Sequence, residues 1–169
     1  MERRPATAEE AKALAHPLRL RILRLCLDEA LTNKQLADRL GKDPGTVLHH
    51  VRTLVDTGFL RVEDVRAGTK GALEKPYRAT GKSWTLDVGD AGDAVAMVDA
   101  FREEVLEAGP KAIVAQSRFA MRLSPESRKD LVARLDALAD EFALRDDPGG
   151  EPVALYYGLH TRTASRRGK

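Results

Sequence analysis

Residues 44–60 carry the side chains whose types and spacing say most about chemistry. The stretch reads Pro44-Gly45-Thr46-Val47-Leu48-His49-His50-Val51-Arg52-Thr53-Leu54-Val55-Asp56-Thr57-Gly58-Phe59-Leu60. On a helix, Val47, Val51, Leu54 and Val55 fall along one stripe, and Gly45, Thr46, His49, Arg52 and Thr53 fall on the opposite side. That second face has short side chains near its start and one long cation further on. It is shaped to enter a DNA major groove, with Thr46 and His49 near base edges or phosphates and Arg52 able to pair with guanine. His49 and His50 do not form a metal chelate, because adjacent helical residues diverge by about 100°.

The elements that must hold this face are legible on either side of it. Thr7-Ala8-Glu9-Glu10 and Thr32-Asn33-Lys34-Gln35 are capping boxes, each opening a helix. His16-Pro17 restarts a helix whose Leu18, Ile22, Leu25 and Cys26 share a face. Leu36, Ala37 and Leu40 line the next helix, Gly41 closes it, and Asp43-Pro44 starts the one above. After Gly58 the period changes. Residues 59–66 read as a strand, 67–71 as a turn and 77–80 as a returning strand, with Pro76 placing that strand near an edge. Two helices on a tight turn followed by a hairpin describe a winged helix-turn-helix. Thr32, Lys34 and Gln35 at the start of its first helix, and Arg66, Lys70, Lys75 and Arg78 on its wing, are expected at phosphates or the minor groove.

Several of these motifs, in this order, resemble the ArsR family of bacterial winged-helix regulators. They are Ala15-His16-Pro17-Leu18-Arg19-Leu20-Arg21-Ile22-Leu23, Gln35-Leu36-Ala37, Thr46-Val47-Leu48-His49-His50-Val51 and Leu54-Val55-Asp56-Thr57-Gly58-Phe59-Leu60. The resemblance covers about residues 9–87. It implies a homodimeric DNA-binding repressor or activator, and it gives His50 a packed or hydrogen-bonding role that supports the helix rather than a base-reading one. The chain departs from the family's metal sensors. Residues 33–39 contain no thiol and the helix after the wing contains no histidine, so no soft-metal ligand set is expected. No cofactor is implied, and an effector is expected to be a small organic molecule.

Composition sets the limits. The chain has 169 residues, 32% of them charged, with a net charge of +2. That sum hides an asymmetry: residues 1–86 carry 16 basic and 11 acidic side chains, residues 87–169 carry 12 and 15. A basic front suits a polyanion. Its excess falls on the Arg19–Arg24 helix, Arg52 and the wing, while the acidity of the back is expected on the outer faces of two helices. The longest apolar runs are too short to cross a membrane, and nothing apolar follows Arg3-Arg4 to make a secretory signal. The single Cys26 fits a reducing cytoplasm and reads as a buried hydrophobe.

The expected fold is mainly α with α+β character. Residues 1–88 form the winged helix-turn-helix. Residues 89–161 hold a dimerisation helix over 91–108 with Val95, Val98, Phe101, Val105 and Leu106 on one face, then a small strand–helix–strand region with strands at 113–123 and 153–159. In that region's helix, opened by Ser124-Pro125-Glu126, residues Leu131, Leu135, Leu138 and Phe142 point inward. Residues 162–169 read as a disordered basic tail. Phe101, Phe119, Phe142, Tyr156 and Tyr157 are candidates to line a ligand pocket. The partners expected are double-stranded DNA with a near-palindromic operator and a second copy of the chain. A protein-interaction module without DNA binding is the competing reading. Neither a nucleophile–base pair nor a phosphate loop supports an enzyme.

Overall fold

The computed structural model describes residues 3–67, 73–89, 94–145, 147 and 149–161, with positions 66, 67 and 94 described by backbone alone. The chain divides into two compact units, Met1–Val114 and Ala115–Lys169. No helix among the described residues is long and apolar enough to cross a membrane.

The first unit begins with β1 (Arg4–Pro5) and α1 (Ala8–Leu14), followed by α2 (Pro17–Asp28), β2 (Leu31–Thr32), α3 (Asn33–Leu40) and α4 (Pro44–Asp56). Each helix starts where a side chain can satisfy its free amides. The Thr7 and Thr32 hydroxyls accept from the third-residue amides, while Glu10 and Gln35 reach back to the cap N–H groups. His16 caps α2 through Nδ1, which accepts from the Leu18 N–H at 3.2 Å. Gly41 takes a left-handed conformation (φ 59°) that ends α3 and admits the turn into α4. Gly58, at φ 75°, does the same between α4 and the first wing strand.

The remaining strands are β3 (Leu60–Val62), β4 (Arg66–Ala67), β5 (Leu73–Glu74), β6 (Pro76–Ala79) and, after a 3-10 turn at Lys82–Thr85, β7 (Leu86–Asp87), and the strands pair into three small sheets. Strand β6 pairs antiparallel with β3 (Leu60 opposite Ala79) and with β2 (Leu31 opposite Tyr77). It is therefore central in the order β2-β6-β3, not near an edge. Pro76 is accommodated because it is the first residue of the strand, where a missing N–H interrupts the ladder least. β4 and β5 form the described part of the hairpin tip. β1 runs parallel to β7 and fixes the N-terminal segment to the end of the domain.

A continuous core lies between these elements. Ile22, Cys26, Leu31, Leu36, Val47, Val51, Leu54 and Phe59 are all at most 1% exposed. They are the apolar positions the helical periodicity picks out, joined by Leu31 of β2 and by Phe59, just before β3. Burial pushes the Cys26 thiol up to about 12, so it is an inert part of this core.

Helix α5 (Ala94–Ala108) packs on α2 within the same unit, so the compact unit runs past residue 88. The residues α5 buries are small, and the face expected to meet a second copy is left mostly open. Ala96 and Ala100 are buried, whereas Val98 is 45% and Leu106 66% exposed. Three of its acidic residues pair with α2: Arg21 meets Glu103 (2.9 Å) and Glu107, and Arg24 meets Glu104 (3.7 Å). Burial raises the Glu104 carboxyl, against the lowering effect of Arg24 and Arg21. Acidity expected on the outer face of this helix thus neutralises the arginines of α2.

A 3-10 turn over Pro110–Ala112 leads out of this unit. The second unit contains α6 (Pro125–Ala143), capped by Ser124, whose hydroxyl accepts from the Ser127 N–H at 3.1 Å. The helix starts where expected, but no residue of α6 is buried; Leu138 and Phe142 are exposed rather than inward. The flanking segments expected to be strands, 113–123 and 153–159, are irregular. Phe119, Met121 and Leu123 follow a strand period, but a ladder needs a hydrogen-bonded neighbour and none is formed among the described residues. The chain is mainly helical, with its winged helix-turn-helix at the N-terminal end. Residues 162–169, expected as a tail, lie outside the described residues.

Candidate nucleic-acid interface

Helix α4 presents the face that the spacing assigns to it. Gly45, Thr46, His49 and Arg52 are exposed and Thr53 is half-buried, while Val47, Val51 and Leu54 are sealed beneath. Thr46 to Arg52 spans about 9 Å of helix, enough to cross two or three base pairs. At the start of α4 the Asp43 carboxylate accepts from the Gly45 and Thr46 N–H groups at 2.8 and 3.0 Å. These amides are therefore committed to the cap and are not donors for a phosphate. A Cβ on Gly45 would stand 3.0 Å from that carboxylate, so the glycine lets Asp43 close over the helix end.

Below the face, His50 is 8% exposed. Its ring lies 4.4 Å from that of His16, centroid to centroid, tilted at 47°, and 5.4 Å from that of His49. Nδ1 of His50 is buried without a hydrogen-bond partner. Burial, then the neighbouring His16, Arg19 and His49, push its pKa down to about 4, so it is neutral at physiological pH. Its ring is packed beneath the exposed face of α4, against His16. Arg19 donates to the carbonyls of Ala13 (2.5 Å) and Lys12 (2.6 Å), closing the end of α1.

The sites expected around α3 and the wing divide into engaged and open groups. Thr32 and Gln35 are occupied by each other's backbone amides, so they build the start of α3. Asn33 Nδ2 donates to the Pro44 carbonyl at 2.9 Å and ties α3 to the start of α4. Lys34 is exposed and pairs with Asp38 one turn on at 2.5 Å. Arg78 turns away from the wing surface: it donates to the Leu27 and Asp28 carbonyls at 3.3 and 3.2 Å and approaches Glu63 at 3.4 Å. It therefore serves the C-terminal end of α2, where a cation is favoured. Lys75 is exposed. The side chain of Arg66 and all of Lys70 lie outside the described residues.

Among the described residues of this face, Lys42, Arg52 and Lys75 are exposed cations with no carboxylate partner. Lys42 was not among the sequence-selected sites. Its signal was available, as a cation in the turn between the two helices beside Gly41. The candidate pocket residues Phe119 and Phe142 are 78% and 58% exposed, and Tyr156 and Tyr157 each 37%. The Tyr157 hydroxyl donates to Asp136 of α6. Phe101 lies half-buried on α5, in the other unit. No enclosed set of aromatic side chains forms in the second unit among the described residues. No group of three or more His, Cys, Asp or Glu is placed to hold a metal ion among them either.

No curated protein matches the chain. Among solved structures, it is similar to Lactococcus lactis ZitR in complex with DNA, at 20% identity over 75% of this chain and 74% of that one, with a TM-score of 0.34. It is also similar to the transcriptional regulator SlyA, at 16% identity over 76% and 75% of the two chains, with a TM-score of 0.31. At such low identities and scores, similarity does not carry function from one chain to another. The family match is local and agrees with the geometry: residues 14–63, from the end of α1 through β3, match a helix-turn-helix domain.

Proposed function

We propose that the chain is a sequence-specific DNA-binding transcriptional regulator of the ArsR type, with α4 in the major groove and residues 66–78 on the backbone or minor groove. One observation carries the reading: α4 exposes Gly45, Thr46, His49 and Arg52 while its other side is locked into the core. A helix that only packed would need no polar, short-chained outer face followed by an unpaired arginine. The helix-turn-helix match over residues 14–63 supports the same reading.

The protein acts as a cytoplasmic homodimer in this reading. Helix α1 and the outer side of α5, where Val98 and Leu106 are exposed, are the surfaces assigned to the second copy. Two α4 helices would then meet successive major grooves about 34–36 Å apart on a near-palindromic site. A small organic effector that changes the orientation of the two copies would shift that spacing and release DNA. Footprinting on DNA upstream of the chain's own gene tests the proposal. Two protected half-sites separated by about one helical turn are expected; uniform protection or none defeats it. A thermal-shift screen of small molecules tests the effector, whose stabilisation must rise with its concentration.

A further inference from the structure

The cation at the far end of α4 is engaged within the domain. Lys82 Nζ donates to the Thr57 carbonyl at 2.6 Å and pairs with Glu10 at 2.8 Å. Thr57 is the C-cap of α4, so a positive charge sits where the helix dipole favours it. The same ammonium lies 5.1 Å from the centre of the Phe59 ring. Its placement depends on Gly81, whose φ of 75° turns the chain from β6 into the 3-10 segment. Gly58 lies alongside: a Cβ there would be in ordinary contact with Nζ at 3.5 Å, and its φ of 75° is what favours glycine.

Glu10 completes the link. Its side chain is 8% exposed. It accepts from both terminal nitrogens of Arg4, at 2.8 and 2.6 Å, and from the Thr7 N–H at 2.9 Å, besides pairing with Lys82. Hydrogen bonds from Arg4, Lys82 and Thr7 hold its carboxyl far below the usual carboxylate range. One carboxylate thus joins three elements: β1 through Arg4, the first turn of α1 through its capping box, and the end of α4 through Lys82. A buried charge held by several directional partners is a poor source of net stability compared with apolar packing, but it tolerates little change in geometry.

We propose that Glu10 and Lys82 are positioning residues that fix the C-terminal end of α4 against the N-terminal segment, and so set DNA specificity without touching DNA. The inference rests on the DNA-binding reading. Its test compares the wild-type chain with Lys82→Met, Lys82→Arg and Arg4→Ala. Each is titrated against upstream DNA and a scrambled duplex of equal length at several salt concentrations, alongside thermal unfolding. Lys82→Met is expected to lower the ratio of specific to non-specific affinity about tenfold and to leave the salt slope unchanged. Lys82→Arg is expected to recover most of that ratio.

A Lys82→Met variant that is less heat-stable but keeps the wild-type ratio overturns the proposal. So does an equal loss on both duplexes with the slope reduced by about 1, the mark of a direct phosphate contact. Arg4→Ala leaves Lys82 in place and is expected to lower the ratio about threefold. If Lys82→Met does not fold, an unchanged ratio in Arg4→Ala is the overturning result. A wild-type chain that binds both duplexes equally removes the DNA reading, and this proposal with it; wild-type discrimination with unaltered variants removes this proposal alone.

Discussion

Phe59 and Phe119 are the same side chain in two settings: the first is 1% exposed, the second 78%. The contrast extends to the units that contain them. Between Ala13 and Leu86, helices, strands and turns close over one shared core. From 115 to 161 no described residue is buried, and α6 is supported by its Ser124 cap and by the exposed pairs Asp130–Arg134 and Glu141–Arg145. Pairs of that kind stabilise a helix by about 0.2–0.5 kcal/mol each, little beside what a sealed aromatic ring contributes. The first unit holds its own shape and can present α4 rigidly. The second has apolar side chains in quantity but encloses none of them.

The largest effect expected from this contrast is on stability. Phe59→Ala should cost about 3–5 kcal/mol through the cavity it leaves, whereas Phe119→Ala should change stability by less than about 0.5 kcal/mol. Denaturant unfolding of the two variants compares them directly, and similar losses would erase the distinction between the units. Next in size is Arg52→Ala, expected to cost about 1–3 kcal/mol at a specific DNA site with no change in unfolding midpoint. The same substitution at Arg118, in the second unit, should leave DNA affinity as it was.

A smaller effect separates the units by pH. The folded His50 has its pKa at about 4, below the 6.5 of an ordinary histidine. Between those values the unfolded chain binds a proton that the folded chain refuses, so stability is full above pH 6.5 and falls as the pH drops towards 4. The loss should be on the order of 1 kcal/mol once solvent screening is allowed for. His50→Gln should flatten that part of the profile; a slope identical to wild type would show that His50 is not its source. Limited proteolysis of the full chain gives the finest comparison, with first cuts expected in 113–123 and 151–161 and a lasting fragment ending near Val114. Early cuts within α3 or α4 would contradict the assignment of rigidity to the first unit.

What was legible in the sequence was local. The starts of α1, α3, α4 and α6 follow from Thr7, Thr32, Asp43 and Ser124, because a cap and the amides it satisfies lie within three residues of each other. The inner stripe of α4 and its outer face follow from period alone. Distant pairings were not legible. Pro76 suggested an edge, since nothing in two residues, Leu31–Thr32, announces the strand that makes β6 central. The acidity of α5 was expected on its outer face, but Arg21 and Arg24, some eighty positions away, pair with Glu103, Glu104 and Glu107. Arg78 looked like a wing cation for the same reason: its acceptors are the carbonyls of Leu27 and Asp28, which carry no mark in the sequence. In the second unit, alternation at 119, 121 and 123 is a genuine strand pattern without a described strand to pair with.

The basic front is also sharper than its total suggests. Arg4 and Lys82 go to Glu10, Arg21 and Arg24 to α5, and Arg39 to Glu29. The described cations left without a carboxylate partner on the exposed α4 face and wing are few: Lys42, Arg52 and Lys75. The central claim is therefore a quantitative one. Anisotropy titrations of the wild-type chain against upstream DNA and a scrambled duplex, repeated from low to physiological salt, test it most directly. The account predicts upstream binding at least about a thousandfold tighter, with log affinity falling by about 0.9 per neutralised phosphate for each unit of log salt. Equal affinity for both duplexes at every salt concentration would contradict it.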